Sequence, residues 1–160
     1  IVLGTGFQPF HAADPVRGRD GVTLAERWAG GREAYLGTTV AGYPNYFILL
    51  GPNTATGHTS ALLYAEAQME YIVDCLNTLE RDGIASFDVR PDAQAAFNHD
   101  LRRRLRDTVW TSGGCGSWYL DPDGGTSIVW PGYTWQFRRA LRAFDPGAYA
   151  LRAQDPVAVA

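Results

Sequence analysis

Cysteine is scarce: only Cys75 and Cys115 occur in 160 residues. Two cysteines do not make a disulfide framework in a domain of this size. They are expected to be reduced thiols of a cytoplasmic protein, with a bridge between them as the alternative. No C-x-x-C or H-E-x-x-H pattern is present, and His11, His58 and His99 share no ligand spacing with each other or with a cysteine. A zinc site is therefore not expected. No apolar run approaches the roughly 20 residues that a membrane helix requires. Charge is also modest, at 19% of residues with a formal net charge of -3. That balance gives no reason to expect nucleic acid or an anionic membrane as a partner.

Complete nucleotide signatures are missing as well. A phosphate loop needs G-x-x-x-x-G-K-[ST], because the lysine reaches the phosphates and the hydroxyl holds magnesium. In "GPNTATGHTS", Gly51 and Gly57 are one residue too far apart, and His58 stands where lysine is required. The dinucleotide pattern G-x-G-x-x-G fails twice: Pro9 follows Gly4 and Gly6, and Tyr119 follows Gly114 and Gly116. The sequence starts at Ile1, with neither methionine nor a basic-then-apolar leader. Ile1 already lies in the strand-like "IVLGTGF", so a fragment or trimmed chain is expected.

What is present is an ordinary globular composition, 46% hydrophobic, long enough for one domain with a real core. "TLAE" at 23–26 fits a capping box opening a short helix through Trp28, stopped by Gly30 and Gly31. "AYLGTTV" and "YFILL" read as two strands separated by "AGYPN". The stretch 59–82 is the clearest helix, with Leu62, Ala65, Met69, Ile72, Leu76 and Leu79 in one stripe and Gly83 as its terminator. "SFDV" reads as a strand. Pro91 suits the first turn of a second helix, with Phe97, Leu101, Leu105 and Val109 on one face. The run "RRRLR" at 102–106 reads as a solvated face.

Residues 111–132 carry six glycines, two prolines and three large aromatics. That mixture is expected of a mobile segment that folds over something. "TWQFRRALRAF" closes the fold as a short amphipathic helix with Phe137, Leu141 and Phe144 in line. The chain after Tyr149 reads as a weakly ordered tail.

Several segments resemble one family in the right order. "IVLGTGF" resembles the "ATGF" segment of flavin-containing monooxygenases, with Gly4 in place of alanine. The run "LAERWAGGREAYLGTTVAGYPNYFILLGPNTATGHTS" is similar to the matching region of Baeyer–Villiger monooxygenases, with Tyr43 replacing a phenylalanine. "CGSWYLDPDGG" and "WPG" resemble the C-terminal part of the same enzymes. The resemblance spans roughly residues 1–149.

It implies an α/β fold: the C-terminal part of a flavoprotein with two dinucleotide-binding domains, made of short strands, two longer helices and long loops. Residues 1–150 would be that portion and 151–160 a tail, with the N-terminal part and the family's catalytic arginine outside the chain. The implied cofactors are FAD and NADPH. The implied substrates are dioxygen and a small ketone, which becomes an ester or lactone.

Position by position, Gly51, Pro52 and Asn53 match the turn beside the flavin. The alternative is a helix-entry turn capped by Asn53 or Thr56. His58 and Thr59 match the cofactor-facing segment, and Ser60 and Ala61 the substrate cavity. Trp118 matches a tryptophan that reaches NADP, and its alternative is a core anchor. The isolated chain is expected to be inactive and to self-associate. Rival functions are an N- or S-oxygenating flavin monooxygenase and a stand-alone binding module without catalysis.

Overall fold

The computed structural model describes residues 1–2, 16–113, 118–121 and 123–154. The expected strand "IVLGTGF", with Gly4, Gly6 and Pro9, falls almost wholly outside the described residues, as do Cys115 and the glycines at 114 and 116.

The capping box forms as expected. Thr23 accepts from the Glu26 amide, and the Glu26 carboxylate accepts from the Thr23 amide at 2.8 Å, opening α1, Leu24–Arg27. The long helix α2 is Ala61–Arg81, with Ser60 at its N-cap, and Gly83 takes a φ of 63° just past its end. Strand β1, Ile84–Val89, leads to α3, Pro91–Leu105, with proline in its first turn. A single turn, α4, Val109–Ser112, precedes the glycine-rich segment. Helix α5, Thr134–Ala140, a 3-10 turn at Pro146–Ala148 and strand β2, Tyr149–Ala153, complete the order.

Strands β1 and β2 pair antiparallel, with Phe87 opposite Leu151 and Val89 opposite Tyr149. The expected loose tail is thus corrected over 150–153. Its backbone finds a ladder on β1, a partner too distant in sequence to be read locally. Residues 155–160 lie outside the description. The fold class is the expected one, mixed α/β with two longer helices and very little strand.

Two expected strands do not form. Around "AYLGTTV", a Tyr35–Thr39 bridge closes a tight turn through Leu36 (φ 53°) and Gly37 (φ 64°). "YFILL" has no ladder and bends at Leu49 and Leu50: Ile48 donates its amide to Thr38 O at 2.8 Å, and Leu50 donates to a side chain of α2. β-rich composition prefers a strand, but these backbone groups are satisfied elsewhere.

The main core joins α2 to β1, β2, α3 and α5. Phe137, Leu141 and Phe144 are all buried in it, as the pattern predicts. Of the expected stripe on helix α2, Leu79 is buried and Ala65 and Ile72 are partly buried, but the inward face is centred elsewhere. Tyr64, Ala67, Gln68, Tyr71, Cys75 and Thr78 point inward. Leu62 is 71% exposed, Met69 54%, Val73 55% and Leu76 50%. The helix therefore has two apolar faces, and periodicity alone could not choose between them. On α3, Leu101 and Leu105 are buried, but Val109 lies beyond the helix end and is exposed. The arginines behave as a solvated face: Arg102 pairs with Glu33, and Arg103 with Asp100.

Candidate functional site

A cavity of about 430 Å³ opens between α1, the segment 48–55 and the start of α2. Ala25 of α1, its C-cap Trp28, Ile48, Leu50, Gly51, Pro52, Ala61 and Ile128 make most of its lining apolar. Arg32 is the one charged side chain in that lining among the described residues.

The wall at 50–55 is held in unusual backbone conformations. Leu50 has φ 52° and Asn53 φ 58°, a region open to asparagine but costly for leucine. Asn53 is buried and works as a clamp. Its amide donates to Ser127 O at 2.8 Å, and its Nδ2 donates to Val129 O at 3.1 Å and Thr126 O at 3.4 Å. Ala55 continues the pairing with an amide bond to Ile128 O, and the Trp130 amide returns to Ala55 O. Residues 126–130 are consequently buried. The loose segment expected over 111–132 is corrected in this half, because Asn53 and Ala55 give its backbone partners.

The glycines have internal reasons. A Cβ at Gly51 would lie 2.5 Å from the Gly37 carbonyl oxygen. One at Gly37 would collide with the Thr54 methyl and come 2.9 Å from Pro52 O. Two backbone turns thus pack directly on each other behind the cavity.

Of the residues singled out from sequence, Gly51, Pro52 and Ala61 come together on the cavity. Asn53 is not in that lining. Ser60 caps α2, its hydroxyl accepting from the Leu62 amide at 3.2 Å. The helix-entry alternative for Asn53 is thereby corrected, since Ser60 holds the cap. Thr56 closes its own turn, accepting from the amides of His58 and Thr59. His58 is exposed and lines a separate cleft with Arg104, Trp110, Trp130 and Tyr133. The cavity does not bring it together with Ala61. Trp118 is 39% exposed and lies outside the cavity lining, its indole stacked on Tyr119 at 3.8 Å between ring centres. Tyr119 in turn meets Trp110 at 4.8 Å.

Sequence reasoning missed Trp28, Arg32, Ile48, Thr54 and Gln68 around this cavity. Trp28 carried a signal, as the end of a capped helix. Gln68 carried none, since a polar residue inside a helical stripe normally faces solvent. Among the described residues no group of histidine, cysteine or carboxylate side chains could hold a metal ion, and no helix is long and apolar enough to cross a membrane.

No family model matches the chain. A Baeyer–Villiger monooxygenase of Pseudomonas aeruginosa is 45% identical over 157 residues, 94% of this chain and 29% of the relative. One from Streptomyces coelicolor is 44% identical over 162 residues, 99% of this chain and 31% of the relative. The chain is homologous to part of the Baeyer–Villiger monooxygenases. It spans under a third of the length of these curated relatives. Among solved structures, a steroid monooxygenase bound to NADP superposes with a TM-score of 0.73 at 27% identity, over 86% of this chain and 26% of that one. A closed cyclohexanone monooxygenase gives 0.71 at 26% identity, with 86% and 27% coverage. An FAD-binding monooxygenase of Aspergillus niger is 30% identical over the whole chain, which is 27% of that protein. The resemblance read from the motifs and this likeness agree on the family and on the flavoprotein fold.

Proposed function

We propose that this chain is the C-terminal portion of an FAD- and NADPH-dependent monooxygenase that converts ketones to esters or lactones. The overall change is ketone plus dioxygen plus NADPH plus a proton, giving ester, NADP⁺ and water. FAD supplies the oxygen-activating redox chemistry, and NADPH supplies the electrons. The 160 residues by themselves are proposed to hold no FAD and to have no activity, and the cytoplasmic location belongs to the same reading.

The carrying observation is the cavity itself: an apolar wall with few polar side chains, made by Leu50, Gly51, Pro52 and Ala61. Such a lining fits one wall of a site for a flat ring system and an apolar ketone. Its polar groups are already engaged. Thr54 Oγ1 donates to Gly51 O at 2.6 Å, and Ser127 Oγ to Asp121 Oδ1 at 2.9 Å. The fit does not rest on an empty space at Gly51, because the Gly37 carbonyl fills the place of a side chain there.

In this reading Gly51 and Pro52 form the surface against which the flavin lies. Ala61 borders the substrate, and the apolar lining keeps water from the reacting centre. Trp118 offers an indole N–H and a stacking face to the nicotinamide half of NADPH, and its partial exposure and ring contact with Tyr119 support that role. Asn53, Thr59 and Ser60 serve by holding the turn, and His58 is assigned no proton transfer.

The test is Ala61→Met in the longer polypeptide, assayed on a small cyclic ketone and a bulky one. Extra methylenes in a filled site cost about 1–3 kcal/mol, roughly tenfold to a hundredfold in kcat/KM. Loss of the bulky substrate alone is expected. No change with either ketone would remove Ala61 from the substrate wall.

A further inference from the structure

We infer that Gln68 is a positioning residue that fixes the cavity wall at Leu50–Pro52, and through it the fit of the ketone. This rests on the reading of the cavity given above. Gln68 sits on the inward face of α2, with 0% of its surface exposed. It is not in the lining of the cavity at Leu50–Pro52, yet it is bonded to both backbone segments that build it. Its Nε2 donates to Gly37 O at 2.8 Å and to Thr38 Oγ1 at 2.9 Å, with Ile48 O a further 3.4 Å contact. Its Oε1 accepts from the Leu50 amide at 2.8 Å.

The orientation of the amide group is fixed by its partners. The Leu50 N–H can only donate, so it must meet the oxygen. The Gly37 carbonyl can only accept, so it must meet the nitrogen. Thr38 directs its own hydroxyl proton to Leu36 O at 3.0 Å, which leaves its oxygen to accept from Gln68. No other side chain of similar size supplies an acceptor and two donors in this arrangement.

The geometry then transmits to the cavity. Gly37 packs against Gly51, Pro52 and Thr54 through the close approaches described above. Leu50 sits at positive φ with its amide bonded to the buried Gln68. Without Gln68, the buried Gly37 C=O would be unsatisfied and the Leu50 N–H, on a residue 41% exposed, would lose its partner, so both turns would move to regain partners. The residues that move are those lining the cavity: Ile48, Leu50, Gly51 and Pro52.

The experiment uses the longer polypeptide with Gln68→Leu, Gln68→Glu and Thr38→Val. Gln68→Leu is expected to raise the ketone KM at least tenfold. Amide hydrogen exchange at Leu50 should accelerate at least tenfold in the same variant. Thr38→Val removes one acceptor and should show a smaller KM increase in the same direction.

Gln68→Glu keeps the acceptor for Leu50 but loses both donors. Its buried carboxyl has a raised pKa, and on protonation it returns one donor to Gly37 O. The polar neighbours of this position are backbone groups and the Thr38 hydroxyl, none of which titrates in the working range. KM for Gln68→Glu is therefore expected to recover as pH falls, a step that wild type lacks. If Gln68→Leu does not fold, Gln68→Glu and Thr38→Val decide. Wild-type KM in Gln68→Glu at every pH would overturn the inference. A wild-type protein that oxidises no ketone would instead overturn the cavity reading, and Leu50 exchange would then decide the clamp by itself.

Discussion

Replacing Gly51 by alanine separates two explanations of the glycine. If it is there to admit a cofactor ring, Gly51→Ala should leave the cofactor-free chain as stable as before. If it is there to admit the Gly37 carbonyl, the chain itself should weaken. An added Cβ would lie 2.5 Å from Gly37 O, 3.1 Å from Ile48 Cγ2 and 3.3 Å from the Gly37 carbonyl carbon. An ordinary C···O approach is about 3.3–3.6 Å, so the two backbones must part by roughly 1 Å. Gly37 O cannot withdraw freely, because it accepts from the buried Gln68 amide at 2.8 Å. Overpacking of this kind costs about 1–3 kcal/mol, and weakening the Gln68 bond adds about 1 kcal/mol. Against this, alanine restricts the unfolded chain and returns about 0.4–1 kcal/mol. The net expectation is a loss of about 1–3 kcal/mol.

With a urea slope of about 1–3 kcal/mol/M, that moves the unfolding midpoint by roughly 1 M. Urea unfolding of the 160-residue chain, followed by far-ultraviolet circular dichroism without added cofactor, measures it. Gly30→Ala, where nothing lies within 4 Å, is the control and should stay within about 0.5 kcal/mol. An unchanged midpoint for Gly51→Ala, together with weakened FAD binding in the longer polypeptide, would refute the packing account.

The exposed stripe on α2 predicts association of the isolated chain: Met69→Lys with Leu76→Lys should shift sedimentation toward a smaller species without loss of helix, and an unchanged profile would move the association elsewhere. Burial pushes the Cys75 thiol up to about 12, from an ordinary 9.0. A raised thiol pKa in the folded state means stability that is present below about pH 9 and lost as pH rises toward 12. In a Cys115→Ser background, Cys75 should resist thiol reagents at pH 8 until the chain unfolds, and rapid labelling of the folded protein would contradict its buried placement.

Much of the fold was legible because it is local. Thr23 with Glu26, Gly83 after a long periodic run and Pro91 at a first turn all act within a few residues. Phe137, Leu141 and Phe144 share a face whatever they pack against. The family was legible for a related reason, since short motifs in a fixed order survive without any knowledge of contacts.

What the tertiary structure decided depends on partners far along the chain. Both faces of α2 satisfy the same 3.6-residue period, and only packing against β1, β2 and α5 chose Tyr64, Tyr71 and Cys75 over Leu62, Met69 and Leu76. "YFILL" has strand composition, but its amides are claimed by Thr38 and Gln68. Strand β2 exists because β1 lies beside it, more than fifty residues earlier. The roles of Gln68, Asn53 and Gly51 follow from hydrogen bonds and backbone contacts that span the chain. Composition fixes which groups need partners, and only the folded arrangement determines which partners they find.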